Sequence, residues 1–232
     1  MKTTRPKIGW GILVCLALGT HLLGAAEFDS WRMSLRFTFT GYTKTETLTS
    51  FPALIVLSTN IPGFRYDDFL WGTNSDLRFF DSTKTQELNY EIETWDTNGS
   101  SVVWVQIPAL ASSNDSIYAV WGHSEAIPPP CTTNGCTWTE GFLGVWHLNE
   151  VSGNRLNSTT NTSFYAGPNN FTGDESVPGM AGRGVEFDGL DDYLEVNGTA
   201  NTGNLYNLGQ GVGKEWTVSA WYYARGTNTT MR

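Results

Sequence analysis

Basic residues are scarce in this chain, and cysteine and histidine scarcer still. Fourteen Lys+Arg stand against 23 Asp+Glu, a formal net charge of −9, with only three cysteines and three histidines. A surface short of positive charge repels phosphate backbones and anionic lipid, so nucleic acid is not an expected partner. No Gly-rich phosphate loop and no paired-histidine metal motif occurs. His123 and His147 have no Ser or Cys partner within a nucleophile motif and read as structural. Helical periodicity is almost absent as well, which sets the α classes aside.

What is present begins with a leader. Lys2, Arg5 and Lys7 precede an apolar run over residues 8–23, and Gly24-Ala25-Ala26 supplies small residues behind it. Residues 1–26 read as a signal peptide cleaved after Ala26, an uncleaved N-terminal anchor being the alternative. Cys15 follows Val14 inside the apolar run, which does not suit lipoprotein processing. No further membrane span follows. Loss of the leader leaves 11 of the 14 basic residues against all 23 acidic ones, a net of −12. The expected location is secreted, at the cell surface or in the periplasm, and an acidic, Asn/Thr/Gly-rich and Trp-rich composition suits an extracellular β-protein.

Cys131 and Cys136 are the two cysteines of the mature chain, in PPPCTTNGCTW, with the tight-turn pair Asn134-Gly135 between them. In an oxidising compartment they are expected to form a local disulfide. A metal site with His123 and His147 is the rival reading. Seven N-x-S/T sequons, at Asn98, Asn114, Asn157, Asn161, Asn170, Asn197 and Asn228, mark expected surface loops.

Strand signals are frequent and evenly punctuated, which predicts an all-β protein of sandwich type. Leu35, Phe37 and Phe39 alternate with Arg36, Thr38 and Thr40. FPALIVL (51–57) reads as a strand buried on both faces. DLRFFD (76–81), LNYEIETW (88–95), VVWVQIP (102–108) and SIYAVWG (116–122) follow. In LNYEIETW, Leu88, Tyr90 and Ile92 share one face, with Asn89, Glu91 and Glu93 on the other. The first domain is thus expected over 27–125. Residues 126–139, with three consecutive prolines, read as a stiff linker carrying the cysteine loop. Beyond it, GFLGVWHLNE (141–150), GRGVEFDG (182–189), DYLEV (192–196) and KEWTVSAWYYA (214–224) read as strands, separated by a long Asn/Ser/Thr/Gly loop.

Two resemblances follow from these phrases. GVWHLNE, RLNSTTNTS, AGRGVEFDGLDDYLEV and WTVSAW resemble, in order and spacing, the start of a laminin-G-like, concanavalin A-like jelly roll. Residues 140–232 would then be the first half of such a domain, truncated in this chain. FPALIVL, DLRFFD, LNYEIETW, VVWVQIPAL and IYAVWG are similar to an uncharacterised β-domain of bacterial secreted proteins, often placed before such a jelly roll. Some members of that group are fused to proton-channel subunits of the biopolymer-transport kind.

VEFDGLDDYLEV (185–196) concentrates the chemistry. It resembles the E-x-D-x-x-E run of glycan-cleaving jelly rolls, with Glu186 and Asp188 expected on one strand face. The match breaks at Asp191, which stands where a longer glutamate belongs, and at Gly189, a turn residue. A strand–turn–strand signature fits each residue, with Val185 and Phe187 pointing inward. Calcium is the other reading, with Asp191 and Asp192 as hard-oxygen ligands of the kind the resemblance implies.

No catalytic residue is assigned. The expected function is a secreted, non-catalytic binding or adhesion protein for a glycan, cell-surface or extracellular-matrix ligand, assisted by calcium and by no other cofactor. A glycoside hydrolase using Glu186 with Asp188 or Asp191 is one alternative, and an envelope sensor or scaffold domain of a biopolymer-transport complex is another. The disulfide reading predicts that thiol titration of denatured, unreduced mature protein finds no free cysteine, and two free thiols would refute it.

Overall fold

A computed structural model of the chain describes residues 28–70, 74–160, 164–173, 175–197 and 215–224. The expected leader at 1–26 and the sequons at Asn161 and Asn228 lie outside the described residues. Six strands follow one another in the first half: β1 (Met33–Thr38), β2 (Leu48–Ser58), β3 (Arg78–Asp81), β4 (Tyr90–Thr94), β5 (Ser100–Leu110) and β6 (Ser116–Trp121). They form two antiparallel sheets, ordered β1-β6-β3 and β2-β5-β4. The alternation read in the sequence decides which side chains meet between them. Ile55 and Leu57 from β2, Val103, Val105 and Ile107 from β5 and Tyr90 from β4 share one buried cluster with Phe79, Ile117, Ala119 and Trp121 from the opposite sheet. This is the two-layer packing of a β-sandwich.

Tyr66, on a 3-10 turn (Tyr66–Asp68) between β2 and β3, closes one end of this core. Its hydroxyl donates to the Leu57 carbonyl at 3.0 Å, accepts the Ser101 N–H at 3.1 Å and lies 2.8 Å from Ser101 Oγ. A buried tyrosine needs such partners for its polar tip.

The apolar run of β2 is buried on one face only. Ala53, Ile55 and Leu57 point into the core, whereas Leu54 and Val56 are exposed. β2 is an edge strand of its sheet, and Leu54 and Val56 lie on its side away from the core.

Residues 126–139 pack against the sandwich. Cys131 joins the core cluster, and Trp138 is buried on the outer face of the β2-β5-β4 sheet. Both cysteines are free thiols, so the bond expected from the sequence is not formed in this structure. The turn is closed by an asparagine instead, since Asn134 Oδ1 accepts both the Cys136 N–H and its thiol. Gly135 has φ +81° and lies so close to Thr159 and Thr160 that a Cβ would come within 2.5 Å of their backbone.

The second half adds five short strands: β7 (Arg155–Leu156), β8 (Tyr165–Asn169), β9 (Ser176–Pro178), β10 (Arg183–Val185) and β11 (Tyr193–Asn197). They pair antiparallel as β11-β8-β7 and β10-β9. The buried Arg155 guanidinium holds the Glu175 carboxylate at 3.1 Å. Two expected strands are absent. Residues 141–150 are irregular, and His147 and Asn149 among them bind Glu91 and Glu93 of β4 instead of a ladder partner. The described residues 215–224 are irregular and exposed, with no ladder partner among the described residues. Conversely, β7, β8 and β9 lie within the stretch read as one long loop. No described helix is long and apolar enough to cross a membrane.

Replacing Tyr66 by Phe leaves the Ser101 N–H and the Leu57 carbonyl short of a buried partner. The expected cost is about 1–3 kcal/mol, measured as a lower urea midpoint with an unchanged m-value.

Candidate functional site

Two clusters of ionisable groups bear on the expected chemistry. The first lies on the outer face of the β2-β5-β4 sheet. Glu91 and Glu93 leave β4 on the side away from the core, and the β4–β5 register shifts between Ile92 and Thr94, placing Glu93 at a bulge. A carboxylate on an outward strand face ordinarily sits in water, but residues 137–158 cover these two. His147 lies between them, its Nδ1 paired with Glu93 Oε2 and its Nε2 3.4 Å from Glu91 Oε1. Its side chain is 14% exposed, and that of Glu93 only 1%.

The remaining lone pairs are taken by neutral donors. Trp104 Nε1 donates to Glu93 Oε2 at 2.8 Å, and Trp138 Nε1 donates to Glu91 Oε2. Ser158 Oγ donates to Glu91 Oε1 at 2.9 Å. Asn149 Nδ2 donates to the Glu93 carboxylate at 2.6 Å and to its carbonyl at 3.1 Å. The imidazole also lies against the indoles of Trp138 and Trp104, at ring separations of 5.5 and 6.5 Å. Burial by itself would lower the His147 pKa. The bonds and charges of Glu91 and Glu93 outweigh it and push the value up to about 9. For Glu91 burial acts upward, and the contacts with His147, Trp138 and Ser158 outweigh it, so its carboxyl lies below the usual range. With both carboxylates saturated and covered, this cluster is suited to holding two segments together rather than to meeting a substrate.

The second place is the loop between β10 and β11. The run Glu186 to Asp188 lies beyond the end of β10, so the expected shared strand face of Glu186 and Asp188 is not formed. Phe187, expected in the core, is exposed and rests on Phe171 at 5.5 Å, whereas Val185 is half-buried. The turn reading describes the backbone: Asp188 Oδ1 accepts the N–H groups of Leu190 at 2.8 Å and Asp191 at 3.3 Å, and Gly189 has φ +77°. Asp192 Oδ2 accepts the Asp188 N–H at 2.8 Å, and Asn170 Nδ2 donates to the Asp191 carbonyl at 2.9 Å. The N–H of Leu190 does most to hold the Asp188 carboxyl below the usual aspartate range. Asp188, Asp191 and Asp192 each present a carboxylate oxygen within 4.8 Å of the others. The structure therefore places the two aspartates read as calcium ligands together and adds Asp188 to them. Leu190, 88% exposed, and the exposed Tyr193 flank the acidic tip.

His123 stands apart from His147, tilted against Trp31 at a ring separation of 5.0 Å, and neither approaches the cysteine pair in any hydrogen bond or ion pair of the described residues. The Glu91–His147–Glu93 contact had no motif to announce it. The one available signal was two charged residues on the outward side of a strand beside a tryptophan-rich segment.

Residues 73–163 match a family model described as a domain of unknown function (DUF2341). The matched span runs past the expected linker and contains both sides of the glutamate–histidine contact. No curated protein and no solved structure matches the chain.

Gly182 joins the first site to β10. It has φ +74°, and a Cβ there would lie 2.7 Å from Asn149 Oδ1 and 2.9 Å from Glu93 Oε1 and Thr94 Oγ1. Gly182→Ala is expected to cost about 1–3 kcal/mol through backbone strain and displacement of Asn149, read as a lower urea midpoint.

Proposed function

We propose that the protein is an extracellular, non-catalytic binding or adhesion module that takes a glycan or other cell-surface ligand at the loop between β10 and β11, with calcium held by Asp188, Asp191 and Asp192. The observation that carries this reading is the meeting of three carboxylates within 4.8 Å on an exposed tip. Hard carboxylate oxygens are the donors calcium prefers, and backbone carbonyls and ligand hydroxyls complete its shell of six to eight oxygens. The exposed rings of Phe187 and Tyr193 offer apolar faces on which a sugar ring can rest.

The resemblance of residues 140–232 to a laminin-G-like domain agrees with this use of the loop, and the leader at 1–26 agrees with a secreted, surface or periplasmic location. In this reading the chain needs no nucleophile and no general acid. Its Glu91 and Glu93 carboxylates are occupied in holding the fold, and Glu186 is not aligned with Asp188 on a strand.

The test is a glycan array on the full-length protein in calcium and in excess chelator, paired with calcium titration by calorimetry. Specific glycan binding that falls at least about tenfold in chelator is expected. Asp191→Asn and Asp192→Asn, which preserve size while removing charge, are expected to weaken calcium binding by a similar factor. No specific ligand on the array, or binding indifferent to chelator and to both substitutions, would overturn the reading.

A further inference from the structure

The outer face of the β2-β5-β4 sheet carries two carboxylates that a strand pattern assigns to solvent, yet both are covered by a segment more than forty residues further along the chain. We propose that Glu91, His147 and Glu93 form a protonation-dependent clamp that holds residues 137–160, and through Asn149 the start of β10, against the sandwich.

The geometry gives the clamp one moving charge. From β4 come Glu91 and Glu93, and from β5 only the indole of Trp104. The covering segment contributes the Trp138 indole, the Asn149 amide and the Ser158 hydroxyl, all neutral. Glu150, on the same segment, directs Oε1 to the Leu156 N–H. Arg183 spends its guanidinium on Ser176, while its N–H goes to Asn149 Oδ1 at 2.8 Å. Among the described residues, His147 is the one cation paired with Glu91 or Glu93. When the imidazole is neutral, two adjacent, covered carboxylates lose that counter-charge. Such a buried anion pair is strongly unfavourable, so the segment is driven off the sheet to let water in.

The direction with pH follows from linkage. Folding favours the imidazolium, raising its pKa above the ordinary 6.5 to about 9. The clamp therefore contributes fully below pH 6.5 and is lost as the pH rises through 9. On the acid side Glu91 has a lowered value, so its contribution is present above the ordinary 4.5 and fades as the pH falls through its folded value. The clamp is firm between these limits and opens first with alkali.

Hydrogen–deuterium exchange on the full chain tests this, with rates corrected for the intrinsic effect of pH. Protection of amides in residues 143–149 and 157–159 should fall by more than about tenfold between pH 6.5 and 10. Amides of β5 and β6 should hold their protection over the same range. His147→Gln keeps an amide donor without a titrating charge and should abolish the step. If that variant does not fold, Glu91→Gln supplies the check, because losing one carboxylate should move the step to lower pH. Wild-type protection that is flat from pH 6.5 to 10, or an unchanged step in either variant, would overturn the clamp.

Discussion

The structure depends on how two outward-facing carboxylates are neutralised. Glu91 and Glu93 cannot be covered by protein unless every lone pair finds a donor and the charge finds a partner. His147 supplies the charge, while the two indoles, one hydroxyl and one amide supply the remaining donors. Because those donors come from residues 104, 138, 149 and 158, satisfying the carboxylates also decides where the chain runs after the sandwich closes. The segment containing Trp138 and His147 is therefore bound to β4 and β5 by specific polar contacts, and Asn149 passes the constraint on to the Gly182 turn that starts β10. A buried ion pair of this kind contributes less to net stability than to selecting one arrangement over others, since desolvation offsets much of the attraction.

How far this could be read in advance varies with the element. β1 and β4 were legible because their alternation matches a sheet with one face in a core, and β2, β3, β5 and β6 because they are apolar runs bounded by turn residues; Tyr90, Val103, Val105, Ile117 and Phe79 all reach the shared core. The same rule puts Glu91 and Glu93 on the opposite face, where a carboxylate ordinarily sits in water. That inference fails where another segment covers the sheet, and nothing local to LNYEIETW reports a histidine 54 or 56 residues away. GFLGVWHLNE reads as a strand for a related reason. It is rich in bulky apolar residues, but His147 is held between Glu91 and Glu93 instead of extending a ladder, and Leu148 takes φ +61°, outside strand geometry.

The second half was less legible because its strands are short and compositionally weak. β8 contains Gly167 and Pro168, which strand propensity counts against, and its pairing with β11 is set by register with Leu194 and Glu195 instead. FPALIVL shows the opposite failure, where continuous hydrophobicity implied two buried faces and an edge position left one of them open. The acidic loop was legible as a turn from Gly189-Leu190-Asp191. What the sequence could not show was that the turn draws Asp188 in beside Asp191 and Asp192. That outcome rests on three backbone N–H bonds to carboxylates, not on any strand face.

Whether His147 is held as an imidazolium between two carboxylates is read by an NMR titration of its ring. Assignment of the His147 Hε1 resonance by comparison with His147→Gln, followed from pH 5 to 11, reads the protonation state itself. A midpoint near 9 is expected, against an ordinary value of 6.5. A midpoint at or below 6.5 would contradict it, because burial would then outweigh the two glutamates and the ring would be neutral where the clamp requires its charge.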